Sequence, residues 1–167
     1  MLTIRQERES DRDGMQHVHR LAFPTPAEAD LVSRLRDEGA VCASIVATDS
    51  DRVVGHALFS IAHLQFASET LEIGALGPVA VLPDQQRRGI GSAMIRAGLD
   101  RCKALGLPAT IVLGHPSYYP RFGFERADTW SIRCTYDAPP EAFMIAWAAT
   151  PLNGPGLAKY HPAFDSV

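Results

Sequence analysis

The run Leu76-Gly77-Pro78-Val79-Ala80-Val81-Leu82-Pro83-Asp84-Gln85-Gln86-Arg87-Arg88-Gly89-Ile90-Gly91-Ser92 has the makings of an anion site. An apolar stretch ending at Pro83 feeds a short polar loop, and Gly89 and Gly91 open the helical pattern that follows. The first amides of a helix have no intrahelical acceptor and lie at the positive end of its dipole, so such a loop concentrates N–H donors on one point. Arg87 and Arg88 add two fixed positive charges beside it. Together these groups have the chemistry of a pyrophosphate cradle.

Three kinds of phosphate loop compete for this pattern. A P-loop needs a Gly-Lys pair, and none occurs in the chain. A dinucleotide fingerprint needs Gly-x-Gly-x-x-Gly, whereas the order here is Gln86-x-x-Gly89-x-Gly91 with no third glycine in place. The pattern Gln/Arg-x-x-Gly-x-Gly/Ala after a Val-x-Val strand resembles the acyl-coenzyme A loop of the GNAT superfamily of N-acetyltransferases. A second stretch, Gly114-His115-Pro116-Ser117-Tyr118-Tyr119-Pro120-Arg121-Phe122-Gly123-Phe124, resembles the segment of that superfamily in which a tyrosine stands at Tyr-x-x-x-Gly-Phe, and Tyr119 holds the position. His115 and the run Tyr-Tyr-Pro-Arg-Phe-Gly-Phe are similar to the YhbS-like branch. Glycines at a strand-to-helix turn are common for steric reasons alone. The strand, the paired arginines, the helix and the aromatic segment carry the reading together.

The resemblance implies an α/β (α+β) fold: a mixed, mostly antiparallel sheet flanked by helices, with a parallel strand-helix-strand unit at the cofactor site. It implies acetyl-coenzyme A as cosubstrate and transfer of acetyl to a primary amine by direct attack in a ternary complex. The cofactor contacts it implies are Val79, Ala80 and Val81 on the strand, then Gln86, Arg87, Arg88, Gly89, Ile90, Gly91 and Ser92 in the loop. In the family a bulge splays this strand from its parallel neighbour and the pantetheine arm lies in the gap; Gly77-Pro78 fits such a bulge, since Pro lacks an N–H. Tyr119 is the expected proton donor to the departing thiolate, and backbone N–H around Val81 the oxyanion donor. Where many relatives place an Asn after the next strand, this chain has Gly114-His115. The base is open among Glu28, Glu72, His115 and water, and the acceptor is not carried over. The rival reading is a non-catalytic acyl-coenzyme A sensor or partner-binding module, against which the retained Tyr119 speaks.

These groups need elements to hold them. Residues 2–6 read as a strand, and Ser10, Asp11 and Asp13 offer caps for a helix with Met15, Val18 and Ala22 at helical spacing. Thr25-Pro26-Ala27-Glu28 reads as a capping box opening a helix through Leu31, Val32 and Leu35 to Gly39, and the cap accounts for Glu28 better than a role as base. Residues 43–48 and 53–61 form an antiparallel pair through the polar turn 49–52, and a third strand spans about 71–82. Helix 90–105 buries Ile90, Met94, Cys102 and Leu105; Ala109–Leu113 is a central strand; 130–136 and 142–149 close the sheet antiparallel. His56 and His63 on their strands read as packed or solvated. Residues 1–150 are one expected domain, with 151–156 of linker composition and 151–167 a tail docked on it through Tyr160 and Phe164.

Composition narrows the function classes. A chain of 167 residues with 46% hydrophobic content fills one core. A net charge of −3 speaks against a general nucleic-acid binder, while Arg87, Arg88, Arg96, Arg101 and Lys103 form a local basic segment suited to a small polyanion. Cys42, Cys102 and Cys134 lack any Cys-x-x-Cys spacing, so reduced thiols and no metal site are expected. Without a signal-peptide core or a membrane-length apolar run the cytoplasm is the default expectation, and a homodimer stays open.

Overall fold

The computed structural model describes residues 1–167. The sheet begins as a meander of β1 (Leu2–Gln6), β2 (Val41–Asp49), β3 (Arg52–Gln65) and β4 (Thr70–Val81), all antiparallel neighbours. Helices α1 (Arg12–Ala22) and α2 (Ala27–Asp37) lie between β1 and β2 in the chain. The β2–β3 hairpin turns on Ser50 and Asp51 at φ 49° and 68°, the two-residue geometry whose twist suits flanking strands. From β4, helix α3 (Ile90–Ala104) crosses to β5 (Ala109–Leu113), which pairs parallel with β4. Strands β6 (Glu125–Arg126) and β8 (Phe143–Trp147) complete the order β1-β2-β3-β4-β5-β8-β6. The sheet is therefore mixed and mostly antiparallel, with its parallel strand-helix-strand unit at β4-α3-β5.

Alternation along β3 sets the layers, because neighbouring residues of a strand face opposite sides. An added Cβ at Gly55 would meet Met94 of α3, and the Phe59 ring lies against Gly98 of the same helix. His56 instead bonds to His19 of α1, and Leu58 packs with Leu31, Val32 and Leu35 of α2. Helix α3 covers one face and α1 with α2 the other. Cys102 is buried in the α3 layer, its Sγ 4.0 Å from that of Cys42. Leu105, expected inside, is 46% exposed, because α3 ends at Ala104 and Leu105 begins the turn to Gly106.

The C-terminal third departs most from the sequence reading. The expected strand 130–136 shrinks to β7 (Ile132–Cys134), since Trp130 closes a 3-10 turn, Ser131 adopts φ 56°, and Pro139-Pro140 cannot extend a ladder. It does not close the sheet antiparallel: β7 pairs parallel with β9 (Gly156–Lys159), a strand in a segment expected to lack one. Strand β9 also pairs antiparallel with the far end of β3, at His63–Lys159 through Gln65–Leu157, where β2 has already ended. The expected strand 142–149 is β8, antiparallel to β5.

A chain of buried and half-buried polar groups crosses the α1 face. Arg36 pairs with Glu7, and the Ser44 hydroxyl donates to Glu7 Oε2 at 2.7 Å. Its proton thus engaged, Ser44 Oγ accepts from His56 Nε2 at 2.8 Å, which leaves His56 Nδ1 bare to accept from His19 Nε2, also at 2.8 Å. Glu7 thereby dictates the tautomer of two imidazoles that are both wholly buried. Burial depresses the His19 pKa to about 4 and that of His56 well below its usual value. A group whose folded pKa is depressed stabilises the fold above its unfolded pKa and loses that contribution as pH falls towards the folded value. From about 6.5 down to about 4, His19 alone should cost about 3 kcal/mol of stability. Urea unfolding at pH 7.5, 5.5 and 4.5 checks this, and a flat profile across that window refutes it. Asp11 is separate: Arg5 holds its carboxyl below the ordinary range, so its loss comes at lower pH.

Candidate active site

Strand β4 breaks where the site begins. Its parallel pairing with β5 comprises only Gly74–Thr110 and Ala75–Ile111. On the other edge the register runs Leu76–Phe59 and then Val79–Ala57, so Gly77 and Pro78 together oppose one residue of β3, as in a bulge. Past it, the Leu82 N–H donates to Val54 O at 2.9 Å. Antiparallel alternation then directs Ala80 and Leu82 towards β3, and the N–H and C=O of Val79 and Val81 towards the edge that β5 has left. A gap lined by backbone results, in which Gln86 takes the Val81 C=O and the N–H groups of Val79 and Val81 stay open.

The loop after β4 ends in that gap. Gln86 Nε2 donates to Val81 O at 3.0 Å and ties the loop to the strand end. Arg87 takes φ 64° and Gly89, the N-cap of α3, takes φ 78°, a conformation costly for any residue with a Cβ. No side chain caps α3, and the first amide to bond back is Ala93 N–H, to Gly89 O at 3.0 Å. The N–H groups of Ile90, Gly91 and Ser92 are left open, with the helix dipole behind them. They face a groove of about 610 Å³ that Val79, Val81, Gln86, Arg87 and Gly89 also line.

Two positions predicted to contact the cofactor are placed elsewhere. Arg88 turns back and donates to Gln85 Oε1, outside the groove lining. Ala80 is 2% exposed and engaged with β3. Sequence reasoning missed Gln85, Tyr118 and Arg121, which do line the groove. Tyr118 shares a hydrogen bond with Ser92 Oγ at 3.0 Å, and the Arg121 guanidinium stacks 4.5 Å from the Tyr118 ring centre. The Tyr-Tyr-Pro-Arg run carried a signal for both, since a second tyrosine and a cation flank the expected one.

Tyr119 stands at a junction. It opens a 3-10 turn (Tyr119–Phe122), with its ring edge-on to Tyr118 at 5.1 Å and to Phe124 at 5.8 Å. Gly114 makes the fit possible: a Cβ there would come within 2.2 Å of the Tyr119 ring, so the bare backbone leaves a flat seat. The Tyr118 hydroxyl is engaged by Ser92, whereas no side-chain hydrogen bond engages that of Tyr119. Burial raises the Tyr119 pKa above its ordinary value.

On the far side of Tyr119 lies a second cavity, of about 560 Å³, which shares Tyr119 and Val79 with the groove. Phe23, Leu31 and Leu76 form part of its wall, and Tyr136, Tyr160 and Phe164 another part. Of the proposed bases, Glu28 alone lines it. The capping box expected at Glu28 does not form: Pro26 is the N-cap of α2, so Glu28 is the second helical residue and not the third, and Thr25 Oγ1 reaches only Ala27 N–H at 3.4 Å. Released from the cap, Glu28 turns inwards, and its Oε2 is buried with no hydrogen-bond partner. His115 lines the groove instead, and Glu72 is 67% exposed beside His63, lining neither cavity. The Tyr160 hydroxyl is a second buried polar atom without a partner.

A splayed strand pair with a donor-rich helix start in the gap, opening through one tyrosine onto a separate pocket, is the architecture of an acyl-coenzyme A-dependent transferase. The sequence profile described as "Acetyltransferase (GNAT) domain" matches residues 3–127. The uncharacterized N-acetyltransferase YhbS of Escherichia coli strain K12 is 35% identical over 167 residues, spanning 98% of this chain and 99% of that protein. The crystal structure of the Escherichia coli YhbS in complex with CoA matches with a TM-score of 0.89 at 32% identity, covering 98% of this chain and 92% of that one. A GNAT family acetyltransferase from Brucella melitensis in complex with acetyl-CoA matches with a TM-score of 0.78 at 30% identity, covering 99% of both chains. The chain belongs to the GNAT family of N-acetyltransferases.

Proposed function

We propose that the enzyme moves acetyl from acetyl-coenzyme A to the primary amine of a small acceptor held in the Glu28 cavity, by direct attack in a ternary complex. The observation that carries this reading is the shared wall: groove and cavity meet at Tyr119 and Val79, with an unpartnered carboxylate on the acceptor side. Acetyl-coenzyme A supplies an activated thioester. The open N–H groups of Ile90, Gly91 and Ser92 with the Arg87 guanidinium hold its pyrophosphate, and the free edge of Val79 and Val81 aligns its arm. Glu28 accepts the proton of the amine, backbone N–H at the bulged strand steadies the developing oxyanion, and Tyr119 donates to the leaving sulfur. No covalent enzyme intermediate is needed. The tail beyond residue 150 belongs to the same catalytic unit, because Tyr160 and Phe164 wall the acceptor cavity.

A thiol-release screen of amines with acetyl-coenzyme A, read by mass detection of the product, tests the reaction. Acetylation of at least one small amine is expected; thiol release from none, with acetyl-coenzyme A bound, rejects the reading. The two arginines separate in binding. A charge-assisted hydrogen bond is worth about 1.5–3 kcal/mol, so Arg87→Ala should raise the coenzyme A Kd by about 10–100-fold, and Arg88→Ala by less than about threefold. Titration calorimetry decides it, and the opposite ranking removes Arg87 from the pyrophosphate.

A further inference from the structure

From the walls of the acceptor cavity we infer that the preferred acceptor is an arylalkylamine that carries a polar hydrogen-bond acceptor on its aromatic end and no carboxylate. This rests on the acetyl-transfer reading above and names its substrate class. The charges of the cavity come first. Glu28 and Asp137 line it, and none of its fifteen lining residues is Arg, Lys or His. An amine therefore enters as the ammonium ion towards a carboxylate. A substrate that also bears a carboxylate beside the amine, as a free amino acid does, would bury a second negative charge with no cation to meet it.

Shape and surface come next. Five of the lining residues are aromatic: Phe23, Tyr119, Tyr136, Tyr160 and Phe164. The Tyr160 ring sits 5.5 Å from that of Tyr136 and 5.0 Å from that of Phe164, so the tail closes one end with a contiguous aromatic surface. Such walls favour an aromatic body through edge and offset contacts, and an ammonium group through the ring faces. An aliphatic polyamine would find Asp137 for its second charge but would leave the aromatic walls without a flat partner.

The polar atoms complete the assignment. Tyr136 is satisfied, its hydroxyl donating to Asp165 Oδ1 at 2.8 Å. Tyr160 is not: its oxygen is buried without a partner, and burial holds its proton on far above neutral pH. It is a fixed donor in an apolar wall, and a bound molecule with an acceptor oxygen would satisfy it. The unpartnered Glu28 oxygen asks for the reverse, a donor, which the amine provides. The residues that line this one cavity thus include an unmet donor and an unmet acceptor on an aromatic frame.

The test is a comparison of tyramine, phenethylamine and free tyrosine, which differ by one hydroxyl and one carboxylate. With the full chain and saturating acetyl-coenzyme A, kcat/KM for tyramine should exceed that for phenethylamine by about tenfold or more, the worth of one buried hydrogen bond. Free tyrosine should fall at least about 10²-fold below tyramine. Tyr160→Phe keeps the ring and should collapse the tyramine-to-phenethylamine ratio to within about threefold of one, with the melting temperature as a control for folding. Calorimetric binding of the same three amines to the coenzyme A complex gives a readout independent of turnover. Equal use of free tyrosine, or an unchanged ratio in Tyr160→Phe, overturns the inference. So does a chain that acetylates a lysine peptide or a polyamine and neither binds nor acetylates the arylalkylamines, although acetyl transfer itself then stands. If no amine is acetylated, the transfer reading fails, and the binding series still decides this one.

Discussion

Tyr119→Phe should lower kcat by about 10²–10⁴-fold, the usual worth of a positioned general acid, while coenzyme A affinity and melting temperature barely change. The substitution removes only an oxygen. The ring keeps its contacts with Tyr118 at 5.1 Å and Phe124 at 5.8 Å and its seat on Gly114, and no side-chain hydrogen bond is lost. A thiol has a pKa of about 8.5 and a phenol about 10, so full transfer to a free thiolate is uphill by about 2 kcal/mol even before burial raises the phenol further. In the proposed role Tyr119 would therefore act while the carbon–sulfur bond is still breaking, by a hydrogen bond that strengthens as charge develops. The raised pKa has a second effect: the phenol stays protonated across neutral and mildly alkaline pH, so loss of its proton should not limit the rate below about pH 10. Tyr118→Phe is the control, because its hydroxyl is bound to Ser92 in the groove, away from the second cavity. A Tyr119→Phe enzyme that turns over at nearly the wild-type rate when chemistry is limiting passes the acid role to water.

Legibility in the sequence followed the range of the interactions. The β4 loop and α3 could be read because strand, proline, glycine and helix follow one another within twenty residues, each with a local rule. Gly77-Pro78 and Gly89 were readable for the same reason: a missing N–H and a left-handed φ are properties of single residues. The orientation of Arg88 was not, since whether a long side chain faces the groove or Gln85 depends on φ 64° at its neighbour Arg87. The cavity beyond Tyr119 was the least legible part. Phe23, Tyr136 and Tyr160 come from three regions of the chain, and Tyr160 reaches the site because β9 pairs with β3 nearly a hundred residues earlier. The His19–His56 chain shows the same limit, as neither histidine has a local signal for the other. Glu28 failed by one residue of helix phase: with the cap at Thr25 it would have bonded backwards, and with the cap at Pro26 it faces inwards.

That inward turn makes Glu28→Gln the sharpest test of the base. The variant keeps the size and polarity of the side chain but cannot take a proton. At neutral pH kcat should fall by about 10²–10⁴-fold. Stability should not fall with it, since the wild-type Oε2 is buried without a partner and an amide removes an unpaired charge from that position. Activity and stability moving apart is the signature of a group held in place for chemistry. The pH profile separates a base from a simple binding contact. If Glu28 removes the proton, the variant depends on amine already deprotonated by solvent, and its rate should climb about tenfold per pH unit until the amine's own pKa is reached, closing most of the gap with wild type. If Glu28 only binds the ammonium, KM rises, kcat holds, and the profile keeps its wild-type shape. His115→Gln, in the groove, and Glu72→Gln, on the exposed start of β4, should leave that profile unchanged. A wild-type slope in Glu28→Gln, with the steep one appearing in His115→Gln, would move the base across Tyr119 to the cofactor side.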